Sequence, residues 1–288
     1  MGKAPKSPSP EGERLKIRLA LAAAVARLES ISPTARLDAE LLMAHALGVS
    51  RNDLLLRHLD DPVPQGFEAL VARRFTHEPV AYITGTRGFW TIDLEVGPGA
   101  LVPRADSETL IEVAVAHFGE RVPERILDLG TGPGTLLLAA LAEWPSARGI
   151  GVDASEAALA YARRNAERLG LPATFQPGNW ADGVAGRFDL ILANPPYIGT
   201  SEDLPAEVRD HEPVAALFAG EDGLDDYRHI VPDLPRLLAP GGIAVLEIGS
   251  TQADAVSAMV RAQRLTPYVT NDLRGLPRVV SALESLQS

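Results

Sequence analysis

The sequence predicts an α/β protein: a parallel sheet with helices on both faces, preceded by a small all-helical domain and joined to it by a β-hairpin. Three observations lead there. From Arg125 onward, short apolar runs alternate with helical stretches, the pattern of a sheet wound by crossover helices. Residues 17–76 carry apolar positions at helical spacing without strand-like alternation. A length of 288 residues exceeds one ordinary domain, so a smaller companion is expected.

The elements follow in order. Residues 1–16 hold all three lysines and are rich in Pro and Ser, which reads as a disordered tail lacking the apolar core of a signal peptide. The helical domain spans 17–77. Its first apolar run is Leu19 to Leu28; Ser32-Pro33 then starts a helix with Pro at the first position, Leu37, Leu41, Leu42 and Ala44 to Leu47 line one face, and Gly48 closes it. Ser50 caps a short helix carrying Leu54 to Leu56, and another runs from Gln65 to Thr76. Residues 78–104 switch to β-type residues punctuated by glycine and read as the linking hairpin. In the main domain, 105–288, strands are expected at 125–129, 148–153, 173–177, 188–193, 242–248, 266–271 and 278–283. Ligands of such sheets sit beyond the carboxyl ends of the strands, so the chemistry belongs after the first, second and fourth.

Composition narrows the chemistry. At 46% apolar and 23% charged residues, the chain can bury a core and is not disordered. Cysteine is absent, which excludes disulfides, thiolate zinc sites, iron–sulfur clusters and cysteine nucleophiles. The six histidines (45, 58, 77, 117, 211 and 229) show no metal-ligand spacing, so no metal is expected. A net charge of -11 disfavours a phosphate backbone as the main partner, and no run is long and apolar enough to span a membrane. The chain is expected to be cytoplasmic and monomeric.

After the first strand comes Asp128-Leu-Gly130-Thr131-Gly132-Pro133-Gly134, a glycine turn opening a helix near Thr135. It fits neither the dinucleotide nor the mononucleotide phosphate pattern, because Thr stands at 135 and no Gly-Lys-Ser/Thr follows. Asp153 closes the second strand, where an acid can accept both ribose hydroxyls or, alternatively, cap the next helix together with Ser155. A nucleoside site without a phosphate loop suits S-adenosylmethionine. Asn179-Trp180 after the third strand offers an amide or a ring to the adenine, or simply packs the core.

The fourth strand ends in Asn194-Pro195-Pro196-Tyr197. Two prolines stiffen this turn and remove two donors, leaving the Asn194 side-chain oxygen and the Pro195 carbonyl as adjacent acceptors for a planar NH2 group. A Tyr197 ring packing that plane would help aim the nitrogen at the methyl sulfonium. Such a turn alone does not separate a glutamine amide from adenine N6 or cytosine N4. An acidic segment bears on the choice: between Glu202 and Asp226 nine acids face the single base Arg209, which is unsuited to a nucleic-acid track and suited to a basic protein loop.

Taken together, AYITGTRGFW, LVPRADSE, DLGTGPG, GVDAS, NPPYI and EPVAALFAGEDGLDDYR with LLAPGGIAVLEIGSTQ resemble the HemK-type family, the peptide chain release factor glutamine methyltransferases. The resemblance implies a Rossmann-like class I S-adenosylmethionine-dependent methyltransferase sheet, and a helical N-terminal domain that recognises the substrate. It implies cofactor contacts at Gly130, Thr131, Gly132, Pro133, Gly134, Asp153, Trp180 and Asn194. It also implies that Asn194, Pro195, Pro196 and Tyr197 hold the glutamine of a release factor's Gly-Gly-Gln loop, with Asn194, Pro195 and Tyr197 serving catalysis. The family's Pro-Arg-Pro-Glu-Thr-Glu appears as Pro103-Arg104-Ala105-Asp106-Ser107-Glu108, and Glu108 favours the release-factor branch over the relative that methylates a ribosomal protein.

Overall fold

The computed structural model describes residues 15–285, so the tail expected over 1–16 lies almost wholly outside the described residues. The chain divides into two units, Met1–Thr84 and Gly85–Ser288.

In the first unit the helix Ile17–Leu28 buries Ile17, Ala20, Leu21, Ala24 and Leu28, a stripe at helical spacing. This stripe packs with Leu42 and Met43 of the helix Ala35–Leu47 and with Phe67 and Val71 of the helix Phe67–Phe75. The second helix begins at Ala35, two residues past the expected Pro33. Ser32 and Thr34 spend their hydroxyls on the Asp38 carboxylate, at 2.8 and 2.9 Å, and the Thr34 amide donates to Ser32 Oγ, so this stretch forms a turn ahead of the helix. Gly48 closes the helix in the left-handed region, at φ +68°. Ser50 Oγ accepts from the Asp53 amide, as its position suggests, and the turn continues as a π-type stretch over Leu54–His58. The segment read as a linker divides. Val80–Thr84 is helical, and Ile83 joins the core of the helical unit.

The second unit opens with a hairpin, β1 (Thr86–Phe89) and β2 (Ile92–Glu95). Seven strands then form one sheet: β3 (Arg125–Leu129), β4 (Arg148–Asp153), β5 (Ala173–Pro177), β6 (Phe188–Ala193), β7 (Leu238–Glu247), β8 (Leu265–Asn271) and β9 (Pro277–Glu284). Their spatial order is β5-β4-β3-β6-β7-β9-β8. The inner strands are continuous apolar runs because both faces are covered: Ile126, Leu127, Leu129, Leu190, Ile191, Leu192, Val245 and Leu246 are fully buried. The sheet is mixed where a parallel one was expected. β9 runs antiparallel to both β7 and β8, because the short return from Asn271 to Pro277 leaves no room for a crossover helix and can only fold back. Strand order reverses between β3 and β6, which places a crevice over the carboxyl ends of β3, β4 and β6.

Candidate active site

A cavity of about 380 Å³ occupies that crevice, within the usual range for small-molecule sites. Its floor is the glycine turn. Gly130, Gly132 and Gly134 all lie at positive φ, +72°, +56° and +88°. The Gly130 and Thr131 amides both donate to the Val152 carbonyl, at 2.9 and 3.0 Å, and the Gly132 amide donates to Asp153 Oδ2 at 2.7 Å. These three N–H groups are therefore spent on β4 and its end, and the turn forms no phosphate cradle.

Asp153 does not cap the following helix. Ser155 does, accepting from the Ala158 amide, while Asp153 Oδ1 takes the Ser155 amide at 2.8 Å. The Asp153 carboxylate thus latches the glycine turn to the strand end and keeps further lone pairs for hydroxyl donors at the cavity wall. Burial pushes its pKa up, against the two amide hydrogen bonds.

Two acids of the site escaped the sequence reading. Asp128 is fully buried in β3. Its Oδ2 accepts from Thr131 Oγ1 at 2.6 Å and from the Leu137 amide at 3.2 Å, while Oδ1 has no protein partner among the described residues. Burial raises this carboxyl to about 7. The signal was present, since an acid inside an apolar strand is rare without a use. In the sequence Asp226 stands only as one acid of the segment between Glu202 and Asp226. It lines the cavity and accepts from Trp180 Nε1 at 3.1 Å.

Of the expected residues, Gly130, Thr131, Gly132, Pro133, Asp153, Trp180, Asn194 and Pro196 line the cavity, together with Asn179. Gly134, Pro195 and Tyr197 do not. Gly134 stands at the N-terminus of the helix Thr135–Glu143, pressed against Leu138, and Pro195 is buried. Tyr197 packs against the core, its carbonyl held by Gln252 Nε2 at 2.9 Å, and burial with the Glu247 charge pushes its phenol to about 12. Asn194 donates from Nδ2 to Ser107 Oγ at 3.2 Å. No donor among the described residues reaches the Pro195 carbonyl.

The acidic segment is less free than its count suggests. Glu212 is buried and accepts from Arg104 and from the Val102 amide. Asp222 and Asp225 pair with Arg228, and Glu202 takes the Gly199 amide. Arg104 and Arg228 stand outside the counted segment, so the fold supplies bases that linear counting misses. The Glu212 contacts also strap the segment, through Pro213, Ala215 and Ala216, over Val102 to Arg104 at the cavity wall.

These residues fit S-adenosylmethionine. A turn with no phosphate cradle, a strand-end carboxylate for hydroxyls, an indole beside the turn and an unpartnered buried carboxyl oxygen suit a nucleoside bearing a cationic tail.

A cavity over the carboxyl ends of β3, β4 and β6, floored by a glycine turn without a phosphate cradle, on this strand order, defines a methyltransferase of the Rossmann-like class I fold. The solved structures it resembles agree on the fold: a methyltransferase from Pyrococcus furiosus (TM-score 0.53, 19% identity, covering 75% of this chain and 98% of that one) and the Thermus thermophilus 16S rRNA N2 G1207 methyltransferase in complex with AdoMet and guanosine (0.50, 18%, 69% and 50%). Residues 20–85 match the PrmC N-terminal domain, and residues 106–208 the methyltransferase small domain. The release factor glutamine methyltransferase of Rhodospirillum rubrum is 46% identical over 257 residues, 86% of this chain and 78% of that protein. That of Mycolicibacterium smegmatis is 41% identical over 284 residues, 95% and 99%. The chain belongs to the release factor glutamine methyltransferase family.

Proposed function

We propose that this protein methylates the side-chain amide nitrogen of the glutamine in the Gly-Gly-Gln loop of peptide chain release factors. The observation that carries the reading is Asn194 at the cavity wall, in a chain related over most of its length to release factor glutamine methyltransferases, with the carbonyl of the adjoining Pro195, which no donor among the described residues reaches, taken as the second acceptor. S-adenosylmethionine supplies an electrophilic methyl group when bound.

An amide nitrogen is a poor nucleophile because its lone pair is delocalised into the carbonyl. Two acceptors that take both of its hydrogens fix the NH2 plane and aim the nitrogen. The proton becomes acidic only as the N–C bond forms and leaves to water, so no general base is required. The prolines exclude competing backbone donors from the turn. Val102 to Arg104, held by Glu212, form one wall of the cavity.

The helical unit is assigned to recognition of the body of the release factor, and the protein acts as a monomer in the cytoplasm without nucleic acid. No helix among the described residues is long and apolar enough to cross a membrane. The test is incubation of the full chain with radiolabelled S-adenosylmethionine, a purified release factor, a ribosomal protein fraction and duplex DNA. Label is expected on the release factor and lost when its loop glutamine is replaced; label on DNA alone would overturn the reading.

A further inference from the structure

Asp226 lies in the first turn of the helix Asp225–Ile230, half-buried at the cavity wall. Its acidic neighbours are answered by the fold, since Asp222 and Asp225 both pair with Arg228. Asp226 makes no ion pair among the described residues, and burial pushes its carboxyl up. What it does make is one hydrogen bond, Oδ1 accepting from Trp180 Nε1 at 3.1 Å. A half-buried acid without a base is costly to keep, and neither the glycine turn, Asp153 nor the amide turn gives it a use.

Its partner is held in an uncommon way. Trp180 has a left-handed backbone, φ +50°, in which a bulky residue is strained. One end of its indole fills the place of a side chain at Gly130, with Cζ3 2.9 Å from where that Cβ would stand. Nε1 is at the opposite end of the ring system and goes to Asp226. An indole gripped at both ends cannot swing about its side-chain torsions.

Asp226 reaches the ring from a fixed base. Tyr227, the next residue, is fully buried, and its hydroxyl donates to the Glu247 carbonyl at 2.7 Å. Ahead of the helix, Gln252 Nε2 donates to the carbonyls of Gly223 and Tyr197, at 3.1 and 2.9 Å, and so ties this segment to the turn after β6. We propose that Asp226 is a positioning residue of the cofactor site: by holding the indole N–H it fixes the Trp180 ring as a wall of the cavity, so that binding need not order it. The inference concerns the methyl donor and holds whatever accepts the methyl group. Direct contact with the ligand through Oδ2, which has no partner among the described residues, is the competing role.

The test titrates the full chain calorimetrically with S-adenosylmethionine as wild type, D226A, D226N, W180F and W180F/D226A. D226A is expected to weaken the Kd ~10-fold, the scale of a hydrogen bond to a charged group, and D226N, whose amide oxygen still accepts, by less than ~3-fold. W180F keeps an aromatic ring but lacks the N–H, so adding D226A to it should cost less than a further ~2-fold. In 15N-tryptophan-labelled protein without ligand, the Trp180 indole N–H signal, identified by its loss in W180F, should move in D226A and stay near its wild-type position in D226N. Should D226A not fold, D226S, too short to reach the indole, takes its place. Wild-type affinity in D226A, a loss in D226N equal to that in D226A, or an indole signal unmoved by D226A would each overturn the inference. Additive losses in W180F/D226A would overturn it too, because Asp226 would then act on the ligand directly. No arm involves the methyl acceptor, so these outcomes are independent of the proposed function.

Discussion

The Trp180 ring occupies the space that a side chain at residue 130 would need: a Cβ built on Gly130 falls 2.9 Å from Trp180 Cζ3. Both residues lie at positive φ, +72° and +50°, so the turn after β3 and the loop after β5 meet only because residue 130 has no side chain. The contact closes one wall of the cavity and leaves the indole N–H on Asp226.

Gly130→Ala therefore meets two obstacles, a left-handed backbone worth ~1–2 kcal/mol and a ring that must move. We expect a loss of about that stability in urea unfolding, and a cofactor affinity reduced at least ~10-fold by calorimetric titration. Unchanged affinity would mean that the Trp180–Gly130 contact does not shape the cofactor site.

On the proposed reading, Asn194→Ala removes an acceptor used only when the amide is aligned for transfer. Turnover is expected to fall by ~100-fold or more, while cofactor affinity falls by less than ~100-fold. A variant that turns over normally would dismiss the acceptor role.

Asp128 predicts how stability responds to pH. Its carboxyl, raised to about 7 from an ordinary 3.8, keeps a proton in the folded chain that the unfolded chain has lost. Stability should therefore fall as pH rises from about 4 and level off above about 7, by at most about 4 kcal/mol from this group. Asp128→Asn should flatten that slope. A cationic ligand favours the ionised carboxylate, so cofactor affinity should rise with pH through 7 in wild type and not in Asp128→Asn. A Kd that ignores pH would place the cationic tail elsewhere.

Glu212→Gln weakens the strap to Arg104 and the Val102 amide while preserving size. The expected result is faster proteolysis within residues 202–216 and a KM for the cofactor raised ~3–30-fold, with thermal stability little changed. Proteolysis at the wild-type rate would mean that the segment is held by its other contacts.

The sequence by itself determined the sheet strands, because buried parallel strands are unbroken apolar runs and glycine turns punctuate them. It also placed the glycine turn, Asp153 and Asn194 at strand ends, since a βα unit puts whatever follows a strand at the same edge of the sheet. It could not show that β9 inserts antiparallel between β7 and β8, because hairpin return and crossover look alike as apolar runs. Nor could it show that Tyr197 faces the core, as side-chain direction in an irregular turn has no period to read. Partnering across long sequence separation was equally hidden. Asp226 with Trp180, Glu212 with Arg104, and Ser107 with Asn194 are contacts that only the tertiary structure decided. A charge or hydroxyl acquires its role from the group that folding sets against it, and that neighbour is not its neighbour in the chain.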